Sequence, residues 1–322
     1  MDKLGLQRHL EPQPGLEHTH GRALQLKTKL QQLKAADFAP LKDEKPLFPL
    51  CLAMAPFIGS PDPVLRDELI LEAFYVIIND DLLTPDELRA LLDIIIDDQH
   101  LLCGLGESDT DTVYARTFSM LITGLLIEAD CRHGFMSEST FTVLTLKDLL
   151  IRQISMEQDL RGHTGAKGWA HSVAHSADTV DCLIRHPLIS ANPRYMQELL
   201  HAVLQKICTH KITYLYNEDE RTATPIVTAI ESGLAEELVT VELALMVEAV
   251  RAAKSLLTLA EHWVLRANVK NFLNNLFVHL DSHLRSDSHS NSHADSRSHL
   301  HLQEFTAELL HDLIKRDTKI IS

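Results

Sequence analysis

Two histidines four residues apart, His171 and His175, with Asp178 three further on, stand in the stretch RGHTGAKGWAHSVAHSAD at 161–178. Two neutral imidazoles one helical turn apart can share a metal ion, and a carboxylate one turn later can join them or orient a ligand. His171, His175 and Asp178 are therefore candidate ligands for a divalent metal, zinc or manganese. His163, His133, Glu218 and Asp219 are possible sources of a further ligand. The zinc-protease pattern HExxH is absent, because Ser172 stands where the general-base glutamate would be. Just upstream, Arg161 and three glycines, Gly162, Gly165 and Gly168, lead into the helix. A guanidinium beside two imidazoles suits an anionic group. The same arginine equally suits a helix corner, paired with Asp178 or another acid.

The element that must carry these side chains is a helix over 168–185, ended by His186-Pro187. At about 100° per residue, His175, Asp178, Cys182 and Arg185 all fall within ~40° of His171. Trp169, Val173, Val180, Leu183 and Ile184 fall on the opposite side. The expectation is that both histidines face solvent or a groove rather than the core. Their truncation should then leave the fold intact.

Two other clusters carry charge. NEDERT, 217–222, reads as acids in a first helical turn. GLGESDTDTVYARTFSM places Arg116 and Ser119 on one face and Tyr114 and Phe118 on another. No G-x-S-x-G elbow and no Walker loop occurs.

Around these stretches the chain reads as all helix. Only 12 glycines and 12 prolines punctuate 322 residues, too few turns for an all-β protein. Asp62-Pro63 and Thr84-Pro85 each read as an N-cap followed by proline at the first helical position, and Glu87 completes a capping box with Thr84. Gly233 reads as a helix stop. Leu238, Val241, Leu245, Ala249, Ala252 and Leu256 form one apolar stripe of a long helix. About ten or eleven helices with short connections predict an irregular α-solenoid, or α/α superhelix, without a strict repeat. Residues 1–35 read as an N-terminal extension and 36–322 as a single helical domain. Within it, 281–301 holds five histidines, seven serines and three aspartates. That composition predicts a flexible loop, with at most weak metal capture by its histidines.

Composition narrows the function. There are 45 acidic against 30 basic residues, a net charge of −15. Such a surface repels phosphate backbones and anionic bilayers, so neither nucleic acid nor membrane is an expected partner. The longest uncharged run, 47–59, is too short and too proline-broken to span a bilayer. Five scattered cysteines without a CxxC read as reduced thiols in a cytoplasmic protein.

Four stretches together carry a resemblance: GSPDPVLRDELI (59–70), GLGESDTDTVYARTFS (104–119), DLRGHTGAKGWAHSVAHSAD (159–178) and NEDERT (217–222). In this order they resemble the bacterial domain-of-unknown-function 2785 family over roughly 40–280. The resemblance implies an all-helical soluble protein and brings no substrate or cofactor with it. The expected function is binding of a small ligand or protein partner in a polar groove lined by Arg161, Trp169, His171, His175 and Asp178. The alternative is a metal-dependent hydrolase built on His171, His175 and Asp178.

Overall fold

The structure, a computed structural model, describes residues 14–43, 45–136, 142–287 and 295–315. Among them are thirteen α-helices and no strand beyond a single bridge between His163 and Trp169. The fold class is all-α. The helices are α1 (Pro14–Ala35), α2 (Phe48–Met54), α3 (Glu72–Asn79), α4 (Pro85–Ile95), α5 (Thr112–His133), α6 (Val143–Met156) and α7 (Ser172–Arg185). They continue with α8 (Pro187–Ser190), α9 (Pro193–Ile207), α10 (Glu218–Glu231), α11 (Glu236–Ala253), α12 (Leu259–Asp287) and α13 (Asp295–Lys315). The short α2 and α8, and α1 in the N-terminal segment, bring the number above the ten or eleven that periodicity suggests.

Local chemistry starts and stops these elements as expected. Thr84 and Glu87 form the capping box of α4. Asp62 Oδ1 accepts from the amides of Val64 and Leu65. The turn it caps, Val64–Leu71, is a π-helix that runs directly into α3. No apolar spacing signals that extra residue per turn. Gly233 follows α10 with φ +95°, which suits glycine alone.

Neighbouring elements pack in succession: α1 on the π-helix, the π-helix on α3, α3 on α5, α5 on α7, α7 on α10, α10 on α12 and α12 on α13. Flanking them, α4 packs on α5, α9 on α6 and α7, and α11 on α9, α12 and α13. One cluster of buried apolar side chains runs from Leu26 in α1 to Leu313 in α13. The segment read as an extension thus contributes Leu26, Leu30 and Leu33 to the common core. No helix among the described residues is long and apolar enough to cross a membrane.

Two expectations change. The segment 281–301 was expected to be a loop throughout, but α12 continues to Asp287 and α13 begins at Asp295. Serines and histidines are only modestly unfavourable in a helix, and packing of the α12–α13 pair outweighs that cost. Residues 288–294 lie outside the described residues. The second change is at α11. Its core side is Val239, Leu243, Met246, Val247 and Val250, whereas Val241, Leu245, Ala249 and Ala252 are exposed. The helix carries two apolar stripes, and its neighbours cover the other one.

Candidate functional site

The loop that joins α6 to α7 is held by three arginines. Arg161 is spent on Asp159, to which Nε and Nη2 donate at 2.8 and 2.5 Å, and Nη2 also donates to the Thr110 carbonyl at 2.9 Å. Arg116, fully buried on α5, donates to the Glu157 carboxylate from Nε and Nη2 at 2.6 and 2.9 Å. Its Nη1 reaches the carbonyls of Cys103 and Gly104. Arg66, from the π-helix, is also fully buried, yet has no carboxylate within ion-pair reach among the described residues. Its Nη2 donates to the carbonyls of Lys167 and Trp169 at 2.7 and 3.2 Å, and Nη1 to that of Ser60 at 2.6 Å. The guanidinium lies 4.3 Å from the Tyr114 ring centre and 4.7 Å from that of Phe118, a cation–π arrangement. Burial lowers its pKa.

Between these anchors the chain folds back on itself. Ala170 N donates to Gly162 O at 2.8 Å and Thr164 N to Gly168 O at 2.8 Å. Two glycines are required here. Gly168 has φ +75°, and a Cβ there would meet Pro63 at 2.8 Å. A Cβ at Gly162 would stand 2.3 Å from the Tyr216 ring and 2.6 Å from Glu218.

The loop delivers His171, which is not inside the helix. It is the residue before α7, with a left-handed backbone at φ 54°. Its imidazole Nε2 lies 2.9 Å from the Tyr216 carbonyl. A carbonyl only accepts, so Nε2 carries the proton and Nδ1 holds the lone pair. Arg221 Nη1 faces that lone pair at 3.5 Å. The Trp169 ring stacks on His171 at 4.5 Å, with Tyr216 edge-on to Trp169 at 5.4 Å. Burial, then the Arg221 charge, push the His171 pKa down to about 4.

His175 is 5 % exposed, on the side of α7 that faces α5. Its Nδ1 lies 3.2 Å from the Thr117 carbonyl, so Nδ1 carries the proton and Nε2 the lone pair. Among the described residues that lone pair receives no hydrogen bond. The ring packs edge-on against Phe118 at 5.3 Å and against His171 at 5.7 Å. Burial holds its pKa well below the ordinary value. Both imidazoles are therefore neutral acceptors at neutral pH. Asp178, half-buried, is paired with Arg221, whose Nε donates to it at 2.9 Å. Glu218, buried in the first turn of α10, accepts from Tyr216 N at 2.8 Å and lies 3.6 Å from His171 Nε2. Burial raises its pKa.

Several expectations meet their correction here. His171 and His175 do not face solvent: α5 and α10 pack against α7, so the start of its polar side is interior. Arg161 does not stand beside the imidazoles, because Asp159 two residues away takes it; Arg221 stands there instead. Trp169 lies with His171, not across from it, because helical spacing does not apply before Ser172. The metal set His171, His175 and Asp178 does not converge either. The histidines keep one nitrogen each on a carbonyl, and the carboxylate is on Arg221. Among the described residues no three His, Cys, Asp or Glu side chains gather as a metal-ligand set. His133 is at the far end of α5, on Asp81. Arg221, Tyr216 and Arg66 are the residues that sequence reading missed. Arg221 was signalled only as the one cation of NEDERT.

These residues tie the four motif stretches into one structure, since 59–70, 104–119, 159–178 and 217–222 all meet at the loop. Residues 101–278 match the model of the family described as protein of unknown function (DUF2785), more than half of the chain. The chain belongs to this family. The matched region holds the histidine loop, Arg116, Glu157 and Arg221, while Arg66 and α1 precede it. No curated protein and no solved structure matches the chain.

Proposed function

We propose that the junction of the 161–171 loop with the start of α10 recognises a small, uncharged, hydrogen-bond-donating ligand. One observation carries this reading. The lone pair at His175 Nε2 receives no hydrogen bond among the described residues, and the His171 ring, whose own lone pair is on Nδ1, lies edge-on to the His175 ring at 5.7 Å. A neutral imidazole nitrogen with a free lone pair is an acceptor, and a ligand N–H or O–H would supply its donor. Trp169, half-buried, and Tyr216, 40 % exposed, offer ring surface on the outer side. Arg221 is already paired with Asp178, and Glu218 and Asp219 add negative charge, so a net anionic ligand is disfavoured. The depth of both histidines supports a small ligand over a protein surface, and the charge of −15 supports a partner other than nucleic acid.

The test is ring-nitrogen NMR of the intact chain against a panel of sugars, polyols and primary amides. A binder should move the His175 Nε2 resonance, and Tyr216→Ala should weaken its binding. If no panel member binds, or binders leave both imidazole signals in place, the reading is wrong.

A further inference from the structure

A concavity lies apart from the histidine junction. A cleft of about 800 Å³ opens between α1, the 55–62 turn and the first turn of α5. Its walls are mainly apolar, with Leu24, Phe57, Pro61, Leu65 and Ala115 contributing. The volume is in the range of small-molecule pockets. The lysine and aspartate charges that reach it are already answered within the protein, while His20, exposed on the lining, makes no hydrogen bond or ion pair among the described residues. Lys27 is paired with Asp62, and Asp111 holds Lys167 at 2.8 Å through both oxygens. His100, buried beneath, is engaged at both nitrogens, by Asp97 at 2.7 Å and the Ala55 carbonyl at 3.2 Å. A charged ligand head would have to compete with a formed pair while losing its own hydration. Gln99, exposed on the lining, has a carboxamide without a hydrogen bond among the described residues. It can donate and accept at once.

We propose that this cleft binds a neutral, largely apolar small molecule with one hydrogen-bonding head group. The roof is α1, held beside the π-helix by Lys27 on Asp62 just before it, Lys34 on the Glu68 carbonyl within it and Lys34 on Glu72 just after it, and seated by Leu26, Leu30 and Leu33. The roof lies before the DUF2785 match, so this site is a property of the whole chain rather than of the matched region alone.

Nile red, a neutral apolar dye, is the probe, used with the full-length chain. Three competitors share one tail length: 1-decanol, decanoate and decylamine. Decanol should displace the dye at least about ten-fold more effectively than either charged analogue. Leu24→Trp and Gln99→Trp fill the cleft from exposed positions, so they leave the core alone. Each should weaken dye binding by at least about ten-fold at unchanged Tm. Equal displacement by a charged analogue, failure of decanol to displace, or unaltered dye affinity in either well-folded variant would overturn the proposal. If one variant fails to fold, the other decides.

Discussion

Helices α7 and α11 break the same rule in opposite directions. The first part of the polar stripe of α7, His175 with His171 just before the helix, is buried, while Asp178 and Cys182 further along are half-buried and Arg185 is exposed. The apolar stripe of α11, Val241 and Leu245 with Ala249 and Ala252, is exposed. The difference lies in the neighbours. Helix α7 is central, with α5, α10, α9, α6 and α8 around it, whereas α11 meets α9, α12 and α13. Where neighbours cover a central helix it buries polar groups along with apolar ones, and those polar groups must then find partners: Thr179 on the Met120 carbonyl, Ser172 on that of Asp159, His175 on that of Thr117. A peripheral helix buries one apolar stripe and leaves a second in water at little cost.

The sharpest way to break this contrast is at the buried ion pair behind α7. Arg116→Met leaves Glu157, 3 % exposed, without its cation. Urea denaturation should show a loss of about 3–5 kcal/mol. A loss under about 1 kcal/mol would mean that water reaches Glu157 and the region is not the sealed interior described.

Acid titration comes next. His171 binds its proton only near pH 4 when folded, against an ordinary 6.5. Between these values the unfolded chain holds more protons, so stability rises with pH. The contribution is complete above about 6.5 and is lost as pH falls toward about 4, amounting to up to about 3 kcal/mol. His175 adds to the slope in the same direction. His171→Asn, a residue type that tolerates the left-handed backbone, should lower the slope by one proton. An unchanged slope would show that His171 titrates like an exposed imidazole.

His175→Ala should cost about 1–3 kcal/mol, because the Thr117 carbonyl loses its donor and Phe118 loses a packing partner. Melting at the parental temperature would return this residue to a solvent-facing stripe. At the small end, Leu245→Lys on α11 should change stability by no more than about 0.5 kcal/mol. A larger fall would mean that something covers that stripe.

The α7–α11 contrast also shows how far sequence reading reaches. The capping box at Thr84, the Asp62 cap and the Gly233 stop were legible because each depends on side chains and backbone a few residues apart. That the motif stretches belong together was legible through their resemblance to one family. The direction in which a stripe faces was not, since periodicity says which residues share a side and not what lies across from it. Nor was the fate of Arg161 and Arg221. Both are arginines next to acids, and only the position of α10 against α7 puts Arg221 on Asp178 and His171.

The sequence by itself thus determined the all-α class, most helix limits and the family, all of which follow from short-range chemistry and pattern. It also determined that 161–178 would be unusual, by concentrating glycine, arginine, tryptophan and histidine there. Tertiary structure alone decided that His171 sits outside the helix with a left-handed backbone, and that Arg66, from a π-helix about a hundred residues earlier, holds the Lys167 and Trp169 carbonyls. It also decided which imidazole nitrogens keep their lone pairs. Those outcomes depend on carbonyls at Thr117 and Tyr216, far from the histidines in the chain. A hydrogen bond to a distant carbonyl leaves no trace in residue type, because every residue has one.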